Sequence, residues 1–433
     1  MRPSPYNIVA EVSESKYFAV VNLLSGHADM LTRQEYDHLK HPGSSPKREF
    51  VKKGYITDPE EEELRFQMAR IDYLERAGQE ELQIFFVPTY QCNFNCSYCY
   101  QAPYLSSHGN VSKSVIDAFF SYVQRHLGDR NKYITLFGGE PLLPGKGYKK
   151  HLAYFIDQCA GYGLEVAVVT NGYHLKEYVD LLAGASIREI QLTLDGPEEV
   201  HNMRRPHKNG AKTFHRIAAS IDECLNRGYP VNLRMVVDKD NINALPGLAS
   251  FAIDRGWTSS DLFKTQLGRN YELHHCHAPQ GKLYSRLSIY KDLYHLIRMY
   301  PEILQFHRPA FSIARFLKDN GKLPPPLFDA CPACKTEWAF DHTGSIYSCT
   351  ATVGKPGEEL GRFYPDVSID REKVQQWQQR DVCSIELCRQ CNVQLACGGG
   401  CGAVAKNNSG SLMEADCRPV EELLGMGIST YFK

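Results

Sequence analysis

The sequence predicts an α/β fold, a partial (β/α)6 TIM-like barrel that follows a small α+β N-terminal module and precedes a cysteine-rich C-terminal module. Apolar runs of strand length alternate with amphipathic helical segments from about residue 81 to 270, a pattern typical of βαβ units and a parallel sheet. Residues 1–91 contain no cysteine, whereas nine of the 15 cysteines lie between residues 331 and 417. We therefore expect four regions: an N-terminal module, a barrel, a helical linker and a cysteine-rich domain, at residues 1–80, 81–270, 271–330 and 331–433.

The elements of the first two regions follow from local pattern. Thr32 precedes Glu35 by three residues, which is a capping box and predicts a helix start. The other predicted elements of the module are strands at 6–12, 17–22 and 28–31 and a helix at 60–75. The predicted barrel strands are 82–88, 133–137, 164–169, 189–194, 231–237 and 262–267, and the helices between them are 114–126, 148–160, 175–182, 214–226 and 243–254.

Composition excludes several partner classes. The 433 residues carry 49 basic and 50 acidic side chains, a net charge of −1, so nothing in the charge favours nucleic acid or an anionic membrane as a partner. The N-terminus has no apolar signal core, and no segment approaches the ~20 apolar residues of a membrane span. We therefore expect a cytoplasmic protein whose dense cysteine spacings bind metal.

Three cysteines follow the first barrel strand, at Cys92, Cys96 and Cys99. Each thiolate at this spacing can ligate one iron of a four-iron cluster, which leaves the fourth iron open, because such clusters usually take four cysteines. A zinc knuckle or an accidental group of thiols is the alternative. Active-site residues of barrels lie at the carboxyl ends of strands, where these cysteines are expected.

Further motifs follow the next strands. The second strand leads into Gly138-Gly139-Glu140-Pro141, in which glycines permit close backbone approach and a carboxylate can bind an ammonium group. The third strand ends in Thr170-Asn171-Gly172, and the fourth in Asp195-Gly196-Pro197 with Arg205 downstream. Each segment is also compatible with an ordinary turn that has no ligand.

Together, the C-x3-C-x2-C run and the Gly-Gly-Glu-Pro segment resemble the radical S-adenosylmethionine (SAM) enzymes. This resemblance implies that the open iron binds SAM and that the reduced cluster cleaves it to a 5′-deoxyadenosyl radical. It also implies which side chains surround SAM: Tyr98, Gly138, Gly139, Glu140, Thr170, Asn171, Asp195 and Arg205. The Arg205 guanidinium is equally compatible with the SAM carboxylate and with an acidic residue of the protein.

The C-terminal cysteines resemble the SPASM extension of radical SAM enzymes. By that resemblance they hold two auxiliary 4Fe-4S clusters, one on Cys331, Cys334, Cys349 and Cys401 and the other on Cys388, Cys391, Cys397 and Cys417. A zinc ribbon is the alternative, since two C-x2-C pairs also suit structural zinc. Cys331 is the open question: without it, one iron of the first auxiliary cluster is free to bind a substrate thiolate.

The N-terminal module loosely resembles the leader-recognition domains of peptide-modifying radical SAM enzymes, which bind a precursor by strand addition. A module that merely packs on the barrel is equally compatible with the pattern. We therefore predict a radical SAM oxidoreductase that modifies a ribosomally made (RiPP) precursor peptide, by a thioether or carbon–carbon crosslink, with a flavodoxin or ferredoxin as reductant.

Two other functions remain open. The first is an anaerobic sulfatase-maturing enzyme, in which an Asp follows the cysteine of the G-x4-C segment and acts as the base. Thr350 follows Cys349 here, which counts against that function. The second is a non-catalytic zinc or electron-transfer protein. The sequence alone does not single out a catalytic base.

Overall fold

The computed structural model of the protein describes residues 1–43, 46–102, 109–269 and 280–432. The histidine-flanked Cys276, which the sequence suggests lies in an exposed polar loop, falls outside the described residues, as does the predicted boundary between barrel and linker.

A three-stranded antiparallel sheet opens the chain, with strand order β2-β3-β4. The three predicted strands are confirmed, and so is the capping box, because the Thr32 hydroxyl accepts from Glu35 N while the Glu35 carboxylate accepts from Thr32 N. The elements are β1 (Arg2–Pro3), β2 (Asn7–Glu11), β3 (Phe18–Asn22), β4 (His27–Leu31), α1 (Arg33–Lys40), α2 (Arg48–Lys52), β5 (Ile56–Thr57) and α3 (Pro59–Gln79).

Six parallel strands follow, in the spatial order β11-β10-β9-β8-β7-β6. The predicted α/β fold with a parallel sheet and all six of its strands are confirmed. The elements are β6 (Leu82–Val87), α4 (Lys113–His126), β7 (Lys132–Leu136), α5 (Lys146–Gly161), β8 (Glu165–Val169), α6 (Val179–Leu182), β9 (Ile187–Thr193), α7 (Glu198–Arg204), α8 (Phe214–Asn226), β10 (Val231–Val237), α9 (Leu245–Asp254) and β11 (Phe263–Arg269), with 3-10 turns at Leu175–Glu177, Ile242–Ala244 and Trp257–Ser259.

The C-terminal region continues the same sheet, which the sequence did not predict. Strand β12 pairs in parallel with β6, Glu337 opposite Gln83, and three short antiparallel strands extend it to ten strands. The elements are α10 (Arg286–Met299), α11 (Ile303–Phe306), α12 (Ala314–Asn320), β12 (Glu337–Asp341), β13 (Ser345–Tyr347), β14 (Gly361–Arg362), β15 (Ser368–Ile369), α13 (Arg371–Gln378), α14 (Gln394–Cys397), α15 (Gly402–Ser409) and α16 (Val420–Tyr431), with 3-10 turns at Gln280–Lys282 and Glu386–Cys388.

The two faces of the parallel strands differ in character. On β6, Ile84 and Phe86 are fully buried beneath the helices, where the Phe86 ring lies 4.6 Å from Phe119 and 4.8 Å from Phe155. The alternate residues face the other way, because side chains alternate along a strand. Gln83 is one of these and donates to Thr135 Oγ1 at 3.1 Å. We call the space on this second face of the sheet the lumen.

Candidate active site

The three cysteines after β6 lie together in a loop and are partly buried. Burial is the main cause that raises the pKa of Cys92 to about 12 and that of Cys96 to about 11, and a charge on the neighbouring thiols raises both pKa values further. Thiolates at these positions therefore need a compensating cation. A bound metal supplies one, since a coordinating thiol is deprotonated outright.

Glu140 follows β7, and its side chain contacts residues that follow β8. Its carboxylate is 1% exposed, and it accepts hydrogen bonds from Thr170 Oγ1 at 2.6 Å, Asn171 N at 2.7 Å and Leu142 N at 2.8 Å. Burial raises the pKa of Glu140, while these three donors and Arg205 lower it. The carboxylate thereby holds Thr170 and Asn171 beside the cysteine loop.

The two glycines before Glu140 are explained by the protein's own backbone. A Cβ atom at Gly139 would lie 2.2 Å from Gln91 O, and one at Gly138, where φ is +123°, would lie 2.7 Å from Thr89 O. Glu140 N donates to Gln91 O at 2.9 Å. The glycines therefore allow this loop to pack directly on the segment that leads into Cys92. The sequence suggested close approach to a ligand, and the described contacts of the two glycines are with residues 87–91.

Asn171 reaches the cysteine loop itself. Its Nδ2 donates to Asn93 Oδ1 at 2.7 Å and lies 3.9 Å from Cys92 Sγ, while its Oδ1 accepts from Tyr173 N at 2.9 Å. Hydrogen bonds thus connect the segments that follow β6, β7 and β8 at one edge of the sheet.

Asp195 is fully buried, and hydrogen bonds within the protein engage both of its oxygens. Oδ1 accepts from Val236 N at 2.9 Å, and Oδ2 accepts from the Tyr98 hydroxyl at 2.5 Å. Arg205 Nη1 donates to the same Tyr98 hydroxyl at 2.6 Å, and Arg204 Nε lies 3.5 Å from Asp195 Oδ2. The arrangement makes Asp195 a support for Tyr98 and the arginines.

Burial is the main cause that raises the pKa of Cys331, Cys334, Cys349, Cys388 and Cys417, and charges on neighbouring thiols raise it further. In the first set, Cys349 interacts with Cys331 and Cys401, and Cys334 interacts with Cys331. In the second set, Cys388 interacts with the three others. The first set comprises Cys331, Cys334, Cys349 and Cys401, and the second comprises Cys388, Cys391, Cys397 and Cys417. The two ligand sets expected from the sequence stay a prediction, and these interactions are compatible with it.

The segment Cys397–Cys401 connects the two sets, and Arg380 holds it in place. The Arg380 side chain has no exposed surface, and it donates to Gly399 O at 2.7 Å, Gly400 O at 3.0 Å, Leu412 O at 2.8 Å and Glu414 O at 3.0 Å. Its Nη1 also lies 3.7 Å from Asp329 Oδ1, which accepts from Cys331 N at 3.0 Å.

Cys349 of the first set lies close to Glu337 of β12, because Thr350 N donates to Glu337 Oε1 at 2.6 Å. Burial is the main cause that raises the pKa of the Tyr100 phenol, and Cys99, Cys349 and Glu337 raise it further. Within the described ranges, no three His, Cys, Asp or Glu side chains are arranged to hold a single metal ion.

Comparison with known proteins identifies the barrel. Residues 86–252 match the family model of the Radical SAM superfamily. These residues form a radical SAM domain. Two curated relatives are named GTP 3′,8-cyclase: that of Nautilia profundicola is 30% identical over 175 residues, 39% of this chain and 52% of the relative, and that of Helicobacter pylori strain HPAG1 is 31% identical over 170 residues, 39% and 50%. The chain thus spans about half the length of the curated relatives it matches.

Solved structures share the radical SAM fold over more of the chain. The structure of anSMEcpe with bound AdoMet (SAM) and the Cp18Cys peptide is 18% identical with a TM-score of 0.59, over 82% of this chain and 96% of that one. Streptococcus suis SuiB bound to the precursor peptide SuiA is 13% identical with a TM-score of 0.54, over 96% of this chain and 98% of SuiB. At these identities the likeness shows the fold alone.

The residues of the radical SAM domain fit the groups that the family implies, a 4Fe-4S cluster and SAM. Three buried nitrogen atoms around the cysteine loop, on Asn93, Arg204 and Arg205, have no hydrogen-bond partner. Unpaired buried donors are costly, and a ligand with a carboxylate would satisfy Arg205 Nε, whereas Arg204 Nε already lies 3.5 Å from Asp195 Oδ2. A set of three thiols suits a cluster with one open iron.

Sequence reasoning missed several supporting residues. Arg204 is 5% exposed, its Nη1 donates to both carboxylate oxygens of Asp238 at 2.9 and 3.0 Å, and Asn241 Nδ2 donates to Asp195 O at 2.9 Å. In the sequence, the doublet Arg204-Arg205 follows the fourth strand and the segment 237–241 follows the fifth, but neither pattern showed these contacts. Arg380 and Glu337 had no local signal, because their partners are distant in the chain. The described residues also include no helix of the length and apolarity that crossing a membrane requires.

Proposed function

We propose that the protein is a radical SAM/SPASM enzyme that modifies a ribosomally synthesised precursor peptide, by a thioether or a carbon–carbon crosslink. Cys92, Cys96 and Cys99 hold the SAM-binding cluster, and the two C-terminal sets hold two auxiliary 4Fe-4S clusters. A flavodoxin or ferredoxin supplies electrons in the reducing cytoplasm.

One observation supports this proposal: the C-terminal thiols interact electrostatically in two sets of four, and Tyr100, next to Cys99, interacts with Cys349 of the first set. A zinc or electron-transfer protein would need no such placement beside a SAM site. In enzymes of this kind the cofactors carry out the radical chemistry, while the protein binds and orients the cofactors and the substrate.

The residues divide the work among binding, orientation and support. When bound, SAM and the cluster would supply a carbon radical that removes a hydrogen atom from the substrate. The unpaired Arg205 Nε suits the SAM carboxylate, and the backbone of Gly138 and Gly139 together with the Glu140–Thr170–Asn171 network shapes the adjoining edge. Asp195 and Tyr98 hold Arg205 in position.

Cys331 belongs to the first auxiliary cluster in this proposal. It is 4% exposed, its backbone N–H is anchored by Asp329, and its thiol interacts with Cys401. Four protein thiolates would close the cluster, so the substrate would react in the lumen without a bond to iron. Cys331→Ala should therefore lose the first auxiliary cluster. Retention of a complete cluster in that variant would instead favour an iron open to a substrate thiolate.

The N-terminal module is the proposed leader-binding site. Strand β4 is an edge strand of the three-stranded sheet, and an edge offers unpaired backbone groups for an added strand. The likeness to SuiB, which extends over 96% of this chain, supports this role. A precursor peptide should then bind more tightly than the same peptide without its leader.

The curated relatives named GTP 3′,8-cyclase favour a second candidate function, a GTP-modifying reaction. Their match covers 39% of the chain. The grouped C-terminal thiols lie outside residues 86–252, the part that the Radical SAM model matches. We therefore rank GTP chemistry below peptide modification and include it in the test.

Anaerobic reconstitution followed by iron and sulfide analysis tests the proposal. We expect about 12 iron atoms per chain, since three four-iron clusters are proposed, together with 5′-deoxyadenosine formation from SAM. Candidate precursor peptides should lose about two mass units on crosslinking. The Cys92→Ala/Cys96→Ala/Cys99→Ala variant should retain the auxiliary iron and form no 5′-deoxyadenosine.

Three results would contradict the proposal, each in its own way. Zinc in place of iron, with SAM left intact, would indicate a non-catalytic protein. Conversion of GTP with no reaction of peptides would indicate the cyclase reaction. Oxidation of a peptide Cys or Ser to formylglycine would indicate a sulfatase-maturing enzyme.

A further inference from the structure

Arg234 carries a positive charge in the lumen and has no acidic partner in the part of the chain that the structure describes. It lies on β10, its side chain is half-buried, and its Nε is shielded from solvent without a hydrogen-bond partner. Among the described residues, no carboxylate lies within ion-pair distance of its guanidinium. A buried N–H donor without a partner is costly, so an anionic group that accepts from Nε would stabilise this site.

The neighbouring strand makes room for this guanidinium. Gly268 of β11 pairs with Val236 of β10, and a Cβ atom at Gly268 would lie 2.7 Å from both Nε and Nη2 of Arg234. The absence of a side chain at Gly268 therefore lets the guanidinium lie flat against β11.

The guanidinium lies near the place where the proposed chemistry occurs. Arg234 pairs with Thr193 of β9, and its carbonyl oxygen accepts from Leu194 N at 3.0 Å. Arg234 thus lies next to the segment that ends in Asp195, which accepts from Val236 N two residues further along β10. A substrate group bound by Arg234 would be held next to the reacting atoms.

The other strand cations on this face have acidic partners in the described chain. Lys264 pairs with Glu189, and Arg188 pairs with Glu81 at 2.7 Å and with Glu165 at 2.8 Å. The lumen also contains Glu337, whose Oε1 accepts from Thr350 N at 2.6 Å. A single unpaired guanidinium opposite a carboxylate suits one oxyanion. It does not suit a triphosphate, which needs several cations.

We infer that Arg234 is a specificity-determining residue that binds a carboxylate of the peptide substrate. An arginine can hold a carboxylate by two parallel hydrogen bonds, which adds orientation as well as affinity. The substrate would therefore present an Asp or Glu side chain, or its C-terminal carboxylate, close to the residue that is modified. This inference rests on the proposed function, because it takes the lumen as the place of reaction.

Two synthetic peptide mixtures test the inference. They share one design around a central cysteine, but one contains Asp and Glu at the flanking positions where the other contains Asn and Gln, and both end in an amide. Equilibrium dialysis with the reconstituted full-length enzyme should show about tenfold or tighter binding of the acidic mixture, as expected for a charge-assisted pair. Peptide-dependent 5′-deoxyadenosine formation should show the same preference.

Three variants separate Arg234 from general charge effects. Arg234→Gln should bind the two mixtures equally. Gly268→Ala should weaken the preference with the charge retained, because the added methyl group displaces the guanidinium. Lys264→Gln is the matched control, since it removes a strand cation that already has a carboxylate partner, and it should leave the preference unchanged.

Several results would overturn the inference. These are equal or undetectable binding of both mixtures by the unmodified enzyme, an undiminished preference in Arg234→Gln, and GTP binding that is tighter than peptide binding and lost in Arg234→Gln. Peptide modification without a preference for acid would overturn this inference and leave the proposed function standing. A preference for acid without SAM cleavage would contradict the proposed function and support the subsite.

Discussion

The Glu140 carboxylate is buried, and hydrogen bonds from residues that follow β7 and β8 compensate for its burial. Hydrogen bonds to an ionised group are stronger than neutral ones, and removing one from a buried site costs about 1–3 kcal/mol. Thr170 supplies the shortest of the three bonds to Glu140, at 2.6 Å. The Thr170 hydroxyl in turn accepts from Gly172 N at 3.0 Å, so one atom serves both the carboxylate and the turn.

Thr170→Val tests this arrangement. The substitution keeps the shape and removes the hydroxyl, so we expect SAM binding to weaken about tenfold, as for the loss of one charge-assisted bond. Equilibrium binding of SAM to the reconstituted enzyme measures the effect. Thr170→Ser keeps the hydroxyl and should bind SAM normally. Equal binding by the two variants would show that the bond to Glu140 does not shape the SAM site.

His307 makes stability depend on pH. Burial, with a smaller contribution from Arg315, lowers the pKa of His307 from 6.5 to about 4, although a hydrogen bond with Thr265 opposes the shift. The unfolded chain therefore binds the proton at higher pH than the folded chain. The stabilisation is complete above about pH 6.5 and is lost as the pH falls toward 4.

We expect the free energy of unfolding to fall by about 1 kcal/mol between about pH 7.5 and pH 5.5 through this residue alone. Urea unfolding of the unmodified protein and of His307→Gln measures it as a difference in pH slope. His201, whose pKa is also lowered by burial, contributes in the same direction to both proteins. Identical slopes for the two proteins would contradict the assignment to His307.

At the scale of elements, the loop from Cys397 to Cys401 depends on one distant side chain. Gly398, Gly399 and Gly400 all have φ between +63° and +71°, a region that favours glycine. Such a loop has little stability of its own. Arg380 stabilises it by donating to two of its carbonyls and to two carbonyls of the following segment.

Arg380→Lys should release iron, because an ammonium group cannot reproduce a planar fork with five N–H donors. We expect a loss of about four or more iron atoms per chain, at least one cluster, after identical reconstitution. Arg389→Lys is the control, since Arg389 is exposed and donates to Cys383 O at 2.7 Å. Full iron content in Arg380→Lys would show that the loop forms without the guanidinium fork.

At the scale of the whole molecule, the C-terminal helix α16 fastens the N-terminal sheet to the rest of the protein. A Cβ atom at Gly425 would lie 2.1 Å from Glu11 O, and Ser13 N donates to Gly425 O at 3.3 Å. The two ends of the chain therefore pack backbone against backbone. Helix α16 thus connects the proposed leader-binding module to the C-terminal region, which is proposed to hold the auxiliary clusters.

Gly425→Val should loosen this contact. Overpacking costs about 1–3 kcal/mol, and we expect faster deuterium exchange in strands β2 and β3 with unchanged exchange in the barrel strands. Gly78→Ala is a matched control, because a Cβ atom there meets nothing within 4 Å, and it should stabilise α3 by about 0.5–1 kcal/mol. Unaltered exchange in Gly425→Val would mean that α16 does not fasten the sheet.

The sequence predicted the elements that depend on local pattern. The six barrel strands and the Thr32 cap are confirmed because strand alternation and capping act over a few residues. The continuation of the barrel sheet by β12 was missed, since Glu337 and Gln83 are far apart in the chain and no local pattern records their pairing. The reason for the Gly138-Gly139 pair was also missed, because only the folded chain shows which backbone comes close.

By itself, the sequence determined the radical SAM domain, because its motifs are short and their spacing along the chain carries the chemistry. The grouping of the C-terminal cysteines into two ligand sets stays a prediction from the family resemblance. Only the tertiary structure decided which side chains face one another across the lumen, and hence that Arg234, unlike Lys264 and Arg188, has no acidic partner among the described residues. The physical reason is that burial and charge pairing depend on distances through space between residues on different strands, which a linear pattern does not encode.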